Sequence, residues 1–267
     1  MYAFNYHRPD SLEAAIGLLR TCEDGLFLAG GQTLLQSLRQ RLAQPSDLID
    51  LGALPELSGI RREGDQLVIG AMTRHAEVAA SDLVRQSIPA LAALAAGIGD
   101  AQVRNMGTLG GSIANNDPAA DYPAGVLGLG ATVVTSEREL AADEFFTGMF
   151  ETALEPGELI REVRFPIPRR AGYVKFAQPA SRYALVGVMV AESAAGVRVA
   201  VTGAGPCVFR VPAMEQALAQ DFQPQALDGI EVPADELNDD LHASAEYRAH
   251  LVGVLARRAV KAALAGL

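Results

Sequence analysis

The stretch from Gly99 to Pro123 constrains this chain more than any other. It holds Gly107, Gly110, Gly111, Pro118 and Pro123, set among Asn105, Asn115, Asn116, Asp117 and Asp121. Few of these residues favour the interior of a helix or strand. The sequence therefore predicts a long irregular segment inside a compact domain, and such segments are usually functional. Within it, Arg104-Asn105-Met106-Gly107-Thr108-Leu109-Gly110-Gly111-Ser112 packs three glycines into five residues. That density allows a nest of converging backbone N–H groups, to which Thr108 and Ser112 add hydroxyls. Asn115-Asn116-Asp117-Pro118-Ala119-Ala120-Asp121 follows and supplies carboxylates. A carboxylate beside an anion nest suits ribose or ribityl hydroxyls better than phosphate. A turn before Pro118 accounts for Asp117 as well, and a helix N-cap accounts for Asp121.

A second glycine loop lies upstream. The short apolar strand Leu26–Ala29 runs into Gly30-Gly31, and a helical period resumes over Thr33–Leu42. Glycines let the backbone turn tightly and let a ligand approach it closely. The first N–H groups of a helix lack intrahelical partners and suit a pyrophosphate. Gln32 and Thr33 add side-chain donors. A plain strand-to-helix turn has the same appearance. A Rossmann reading competes, because Asp50 ends the next strand where a ribose-binding acid belongs. The third glycine is missing, however, and Asp50 reads more simply as a strand-end residue. Two anion-ready loops in one chain fit a dinucleotide with two phosphates better than either loop alone.

The formal net charge of −10 makes nucleic acid an unsuitable partner, since an acidic surface repels a phosphate backbone. An anionic cofactor must then be drawn in by local N–H groups. The 267 residues, 49% hydrophobic and 20% charged, lie in the ordinary globular range. Cys22 and Cys207 are isolated, and His7, His75, His242 and His250 form no paired motif, so no metal is expected on this chain. His75 reads as a satisfied histidine in the first turn of a helix. Arg104 approaches a phosphate or pairs with a carboxylate. The N-terminus has no basic and apolar leader pattern, and no apolar run suffices for a membrane span; a cytoplasmic protein is expected.

Along the chain, Ser11–Arg20 reads as a helix capped by Ser11, and Asp47–Leu51 as a strand. Gly59–Arg62 and Gln66–Ala71 read as a hairpin, Thr73 as a helix cap, and Pro89–Ile98 as a core helix. Strands at Thr132–Thr135 and Leu159–Phe165 precede Pro166-Ile167-Pro168-Arg169-Arg170, which separates a domain of residues 1–168 from one of 171–267. The second reads as strands Tyr173–Ala177, Leu185–Glu192 and Val197–Gly203, then helices near Pro212–Ala219 and Ala243–Ala265, a small α+β unit.

The segments LAGGQTLL (Leu28–Leu35), IGAMTRHAEV (Ile69–Val78), RNMGTLGGSIANNDPAADYPA (Arg104–Ala124), ELIREVRFP (Glu158–Pro166) and YVKFAQPASRYALVGVMVA (Tyr173–Ala191) resemble the FAD-binding medium subunits of the molybdenum hydroxylases, the xanthine dehydrogenase and carbon monoxide dehydrogenase family. The resemblance covers nearly the whole chain. It implies an α+β, two-subdomain FAD-binding fold of the vanillyl-alcohol-oxidase (PCMH) type, followed by the small C-terminal α+β domain. It implies that Leu28, Ala29, Gly30, Gly31, Gln32, Thr33 and Leu34 form one FAD pyrophosphate loop. Gly107, Thr108, Leu109, Gly110, Gly111 and Ser112 match the other. Asp121 matches an acid contacting the flavin nucleotide, Lys175 and Tyr183 fall near the flavin, and Ile160 packs on the adenine. No catalytic nucleophile or base is required of this chain. Molybdopterin on a large subunit and [2Fe–2S] clusters on a small subunit are the implied partners' cofactors, in a dimer of heterotrimers. The missing cysteine cluster argues against an additional iron–sulfur centre here. A self-contained flavin oxidoreductase and a non-enzymatic scaffold of the same fold are the alternatives. Substrate and electron acceptor are not specified by these residues.

Overall fold

The structure, a computed structural model, describes residues 1–266. The chain opens with β1 (Asn5–His7), α1 (Leu12–Thr21), β2 (Gly25–Leu28), α2 (Leu34–Arg39) and β3 (Asp47–Asp50). The three strands form a parallel sheet in the order β1-β3-β2. Ser11 caps α1 by accepting from the Ala14 N–H at 3.2 Å, as its sequence position predicts. The apolar face of α1 packs with Ile49, Leu51, Leu54 and Leu57 into a small core. Helix α2 stops short of the predicted Leu42 because Arg41 turns left-handed, with φ 61°.

The second unit begins with the hairpin β4 (Ile60–Glu63) and β5 (Gln66–Gly70). Six helices follow: α3 (His75–Ala80), α4 (Asp82–Ser87), α5 (Pro89–Ala96), α6 (Ala101–Met106), α7 (Leu109–Asn115) and α8 (Asp121–Gly128). Then come β6 (Thr132–Thr135), β7 (Glu139–Ala141), α9 (Ala142–Phe145), the small pair β8 (Phe146–Gly148) and β9 (Glu151–Thr152), and β10 (Ile160–Pro166). The antiparallel sheet runs β4-β5-β10-β6-β7. Two expectations are corrected here. Thr73 does not cap α3: its hydroxyl bonds both the N–H and the carbonyl of Gly59. Glu77 instead accepts from the Arg74 N–H at the helix start. The segment Gly99–Pro123 is not irregular but largely helical. Asp100 caps α6 through the Val103 N–H, Thr108 caps α7 through the Gly111 N–H, and every residue of α8 is buried. Capping and burial together outweigh the low helix propensity of glycine, about 1 kcal/mol per residue.

The third unit is the antiparallel sheet β11 (Arg170–Ala177), β12 (Ala184–Ser193), β13 (Gly196–Thr202) and β14 (Phe209–Arg210), followed by α10 (Pro212–Gln220) and α11 (Ala245–Ala265). One sheet face carries Val186, Val188, Val190, Val199 and Val201 against α10 and α11. Gly172 permits that close approach, since a Cβ there would lie 2.2 Å from the Ala259 carbonyl oxygen. The other face sends Met189, Ala191 and Ala200 into the main core, where β12 and β13 meet α8. Burial on both faces explains why β12 is an unbroken apolar run rather than an alternating one. No helix among the described residues is long and apolar enough to cross a membrane.

Candidate cofactor-binding site

The residues Ala29–Thr33, leaving the C-terminal end of β2, carry the most open hydrogen-bonding capacity in the molecule's main cleft. Gly31 is left-handed, with φ 70°, so the chain reverses without a Cβ clash. None of the N–H groups from Gly30 through Leu34 donates to a protein acceptor among the described residues. The first intrahelical bond comes from the Leu35 N–H to the Gly31 carbonyl at 3.1 Å. Gly30 serves a different purpose from ligand approach. A Cβ on it would stand 2.2 Å from the Met106 carbonyl oxygen, so its absence lets this loop lie directly on the turn between α6 and α7.

That turn is the second glycine loop, and it does not form the expected nest. The Leu109 N–H donates to the Thr73 carbonyl at 3.1 Å, and the Gly110 N–H to the Ala71 carbonyl at 2.8 Å. The Gly111 N–H is taken by Thr108 Oγ1. Gly110 and Gly107 are there for packing: their Cβ atoms would fall 2.6 Å from Ala71 Cβ and 2.6 Å from His75 Nε2. What this loop leaves open is the Thr108 N–H, without a protein acceptor among the described residues, and the Ser112 hydroxyl. The two loops therefore differ in kind. The first offers free donors, and the second is a braced wall beside it.

Both loops line one cleft of about 510 Å³, which reaches to Ser181–Tyr183 on the β11–β12 turn. Its walls include Phe27, Leu51, Met72, Ile98, Leu159 and Ile160, apolar surface suited to flat rings. Of the residues singled out in the sequence, Ala29–Leu34, Gly107, Thr108, Gly110–Ser112, Asp121, Ile160 and Tyr183 border this cleft. Leu28, Leu109 and Lys175 do not; Leu109 is wholly buried in the core. Lys175 Nζ spends its donors on the Gly97 carbonyl, the Arg182 carbonyl and Asp121, each at 2.9–3.0 Å. Asp121 opens α8 and is 4% exposed. It accepts from Tyr173 Oη at 2.6 Å and from Lys175, so the group joins the third sheet to the cleft wall. Burial pushes its carboxyl up, and the Lys175 charge and the two hydrogen bonds oppose that. Asp117 forms the turn its Asp-Pro sequence suggests, with Oδ1 accepting from the Ala119 N–H at 2.9 Å. Asp50 likewise accepts from the Gly52 N–H at its strand end.

His75 departs from its sequence reading. It is buried in the cleft wall, and its Nδ1 has no hydrogen-bond partner, nor does the hydroxyl of its neighbour Tyr122. Burial, then the Arg104 charge, hold its pKa down at about 4. Arg104 pairs with no carboxylate among the described residues; its guanidinium donates to the Ile98 and Gly99 carbonyls. Sequence reasoning also passed over Arg182 and Glu158 at the cleft. Only tertiary folding brings them there, and no local motif marks them.

An apolar cleft with a run of unanswered N–H groups at one end defines a protein that holds a phosphorylated ring cofactor. Residues 2–168 match the model of the FAD binding domain in molybdopterin dehydrogenase. The nicotine 6-hydroxylase medium subunit of Paenarthrobacter nicotinovorans is 39% identical, over 97% of this chain and 96% of that one. The carbon monoxide dehydrogenase medium chain of Hydrogenophaga pseudoflava is 36% identical, over 98% and 97%. A chain of reconstituted CO dehydrogenase from Oligotropha carboxidovorans superposes with a TM-score of 0.90 at 34% identity, covering 99% of each. The chain belongs to the FAD-binding medium subunits of the molybdenum hydroxylases. It carries an FAD-binding domain of the α+β class, and it is an oxidoreductase component.

Proposed function

We propose that this chain is the FAD-carrying electron-transfer subunit of a molybdenum hydroxylase, passing electrons from [2Fe–2S] clusters on a small partner subunit to an external acceptor. A large partner subunit would carry the molybdopterin and the substrate site, and two such heterotrimers would pair. The observation that carries the reading is the free N–H run Gly30–Leu34, set beside the Thr108 N–H in an apolar cleft.

FAD, when bound, supplies the chemistry that couples two-electron and one-electron carriers. The residues of this chain bind and orient it. The N–H groups of Gly30–Leu34, with the side chains of Gln32 and Thr33, would hold the diphosphate. Thr108 and Ser112 add donors from the braced loop. Asp121, held by Tyr173 and Lys175, would face the nucleotide sugar, Ile160 would contact the adenine, and Tyr183 would hold the ring end. Leu28, Leu109 and Lys175 act behind these groups. No proton-transfer residue is needed, because the substrate reaction belongs to the large subunit.

The test is the flavin-to-chain ratio of the subunit purified with its partners, expected near one FAD per chain. Protein without bound flavin would end this reading. Gly111→Val should give flavin-poor protein, since a Cβ at that position already meets Thr108 Oγ1 at 2.9 Å and would dislodge the cap. Full occupancy in that variant would count against the assignment of the second loop.

A further inference from the structure

The Ala29–Thr33 loop leaves the C-terminal end of β2 in the parallel sheet β1-β3-β2. A second group of chemically active side chains comes together on the same sheet, around the start of β3 and the end of α1. His7 ends β1, Asp47 begins β3, and Cys22 is the C-cap residue of α1. An imidazole nitrogen of His7, the Cys22 Sγ and a carboxylate oxygen of Asp47 all lie within 4.8 Å of one another. His7 Nε2 is 2.7 Å from Asp47 Oδ1. Nothing in the FAD-binding reading uses these residues. The sequence gives no warning of them either, since His7 and Asp47 stand 40 positions apart with no paired-ligand motif.

We propose that His7, Cys22 and Asp47 form a binding site for a zinc-type divalent cation, with solvent completing the coordination. Three observations support this. The donor set is mixed nitrogen, sulfur and oxygen, the set chosen by zinc and cobalt; magnesium and calcium take oxygen alone. The three donor atoms lie within 4.8 Å of one another, close enough for side-chain rotation to bring them to the edges of a tetrahedron, about 3.3–3.8 Å for bonds of about 2.0–2.3 Å. The His7–Asp47 pair opens by roughly 0.6 Å from its hydrogen-bonded separation to reach that spacing, a side-chain rotation. Asp47 is also fixed from behind, as ligands in metal sites are: Asn5 Nδ2 donates to Oδ1 at 3.1 Å and Ser46 Oγ to Oδ2 at 2.6 Å.

Charge and access agree with the geometry. A carboxylate and a thiolate neutralise a dication locally, so the site needs no further counter-charge. His7 and Cys22 are each only half-buried, which leaves the ion a route in. The bound ion would tie the three-residue edge strand β1 to α1 and β3, and so fasten the sheet whose other edge bears the free N–H run. Without a metal the same residues make a His7–Asp47 hydrogen bond with a bystander thiol.

Cobalt(II) titration of the chelator-treated, full-length flavoprotein decides between these. The expected result is one equivalent taken up with the intense red-region ligand-field bands of tetrahedral, thiolate-bound cobalt, displaced by one equivalent of zinc. Cys22→Ser should lose the bands, and Cys207→Ser, altered at the other cysteine, should keep them. Asn5→Ala, which removes a support behind Asp47, should weaken cobalt binding about 10–100-fold. Flavin content reports folding in each variant, because none of the altered residues lines the cleft. A weak octahedral spectrum from wild type overturns the proposal without recourse to any variant, as do bands that survive Cys22→Ser in flavin-replete protein.

Discussion

His75 is a buried imidazole with one nitrogen unanswered, and its burial contributes to loss of stability in acid. In the unfolded chain it titrates near 6.5, and in the fold near 4. Between those values the unfolded state binds more protons, so stability falls as the pH drops through the window and is fully present above it. The loss due to His75 between pH 7 and 5 is about 2 kcal/mol. Asp121 and Asp117 contribute with the opposite sign, because burial raises both. The contribution of His75 is therefore read as the difference in urea-unfolding free energy between wild type and His75→Phe at the two pH values, measured on flavin-free protein. Parallel pH slopes in the two proteins would contradict it. Lys175 gives a second prediction at this scale. Its side chain answers a carboxylate that is nearly fully enclosed, so Lys175→Met leaves Asp121 uncompensated and should cost about 3–5 kcal/mol. Asp121→Asn in the same chain should recover part of that. Urea unfolding of flavin-free protein checks both. If Lys175→Met lowers flavin affinity but leaves the apoprotein as stable as before, the residue serves the cofactor and not the joint.

At the scale of elements, glycines that look alike in sequence do different work. Gly17 lies inside α1 with nothing near its missing Cβ, whereas Gly110 lies in the first turn of α7 with Ala71 at 2.6 Å. Gly17→Ala should therefore stabilise the protein by about 0.5–1 kcal/mol. Gly110→Ala should destabilise it by about 1–3 kcal/mol through overpacking, and lower flavin content as the two loops part. Thermal unfolding and the absorbance ratio of the purified variants would show whether the two changes differ in sign. The same contrast explains what the sequence revealed of the site. Gly30-Gly31 after a short apolar strand is a local signal, and the N–H run it announces is there. Gly107, Gly110 and Gly111 were equally visible, but as a nest of donors. Their N–H groups go to the Val103 carbonyl, the Ala71 carbonyl and the Thr108 hydroxyl, partners that depend on a helix end, another element or a cap, so the sequence alone does not show the donors to be taken. The helices of Gly99–Pro123 escaped notice for the same reason, since capping and burial of α8 override propensity. Ser11 and the β4–β5 hairpin were legible because their signals are complete within a few residues.

For the whole molecule, the break at Pro166–Arg170 marks a change of sheet, and the third sheet builds its own core against α11 with one face while its other face enters the main core. Met189, Ala191 and Ala200 of the third sheet belong to the cluster that also holds Leu91, Leu94 and Val126, and a Cβ on Gly128 would lie 2.6 Å from Met189 Cγ. Hydrogen bonds follow the same path. The Thr202 hydroxyl donates to the Pro118 and Ala120 carbonyls, the Gly203 N–H to Pro118 and the Ala184 N–H to Ala119. Arg198 grips Asp143 through both terminal nitrogens, at 3.1 and 2.8 Å. The peptide Asp117–Asp121, a wall of the cleft, is thus positioned by a sheet that the chain makes fifty or more residues later, and Asp121 itself is held by Tyr173 and Lys175. Residues 1–168 expressed alone would expose the apolar faces of α5 and α8 and release that wall. The fragment should unfold without a cooperative transition or aggregate, and retain little FAD, whereas the full chain binds it. Co-expression of residues 169–267 as a separate chain should restore part of the binding by rebuilding the shared core. A fragment that ends at Pro168, melts cooperatively and keeps its flavin would show that the first two sheets suffice, and that the third serves an interface rather than the cofactor.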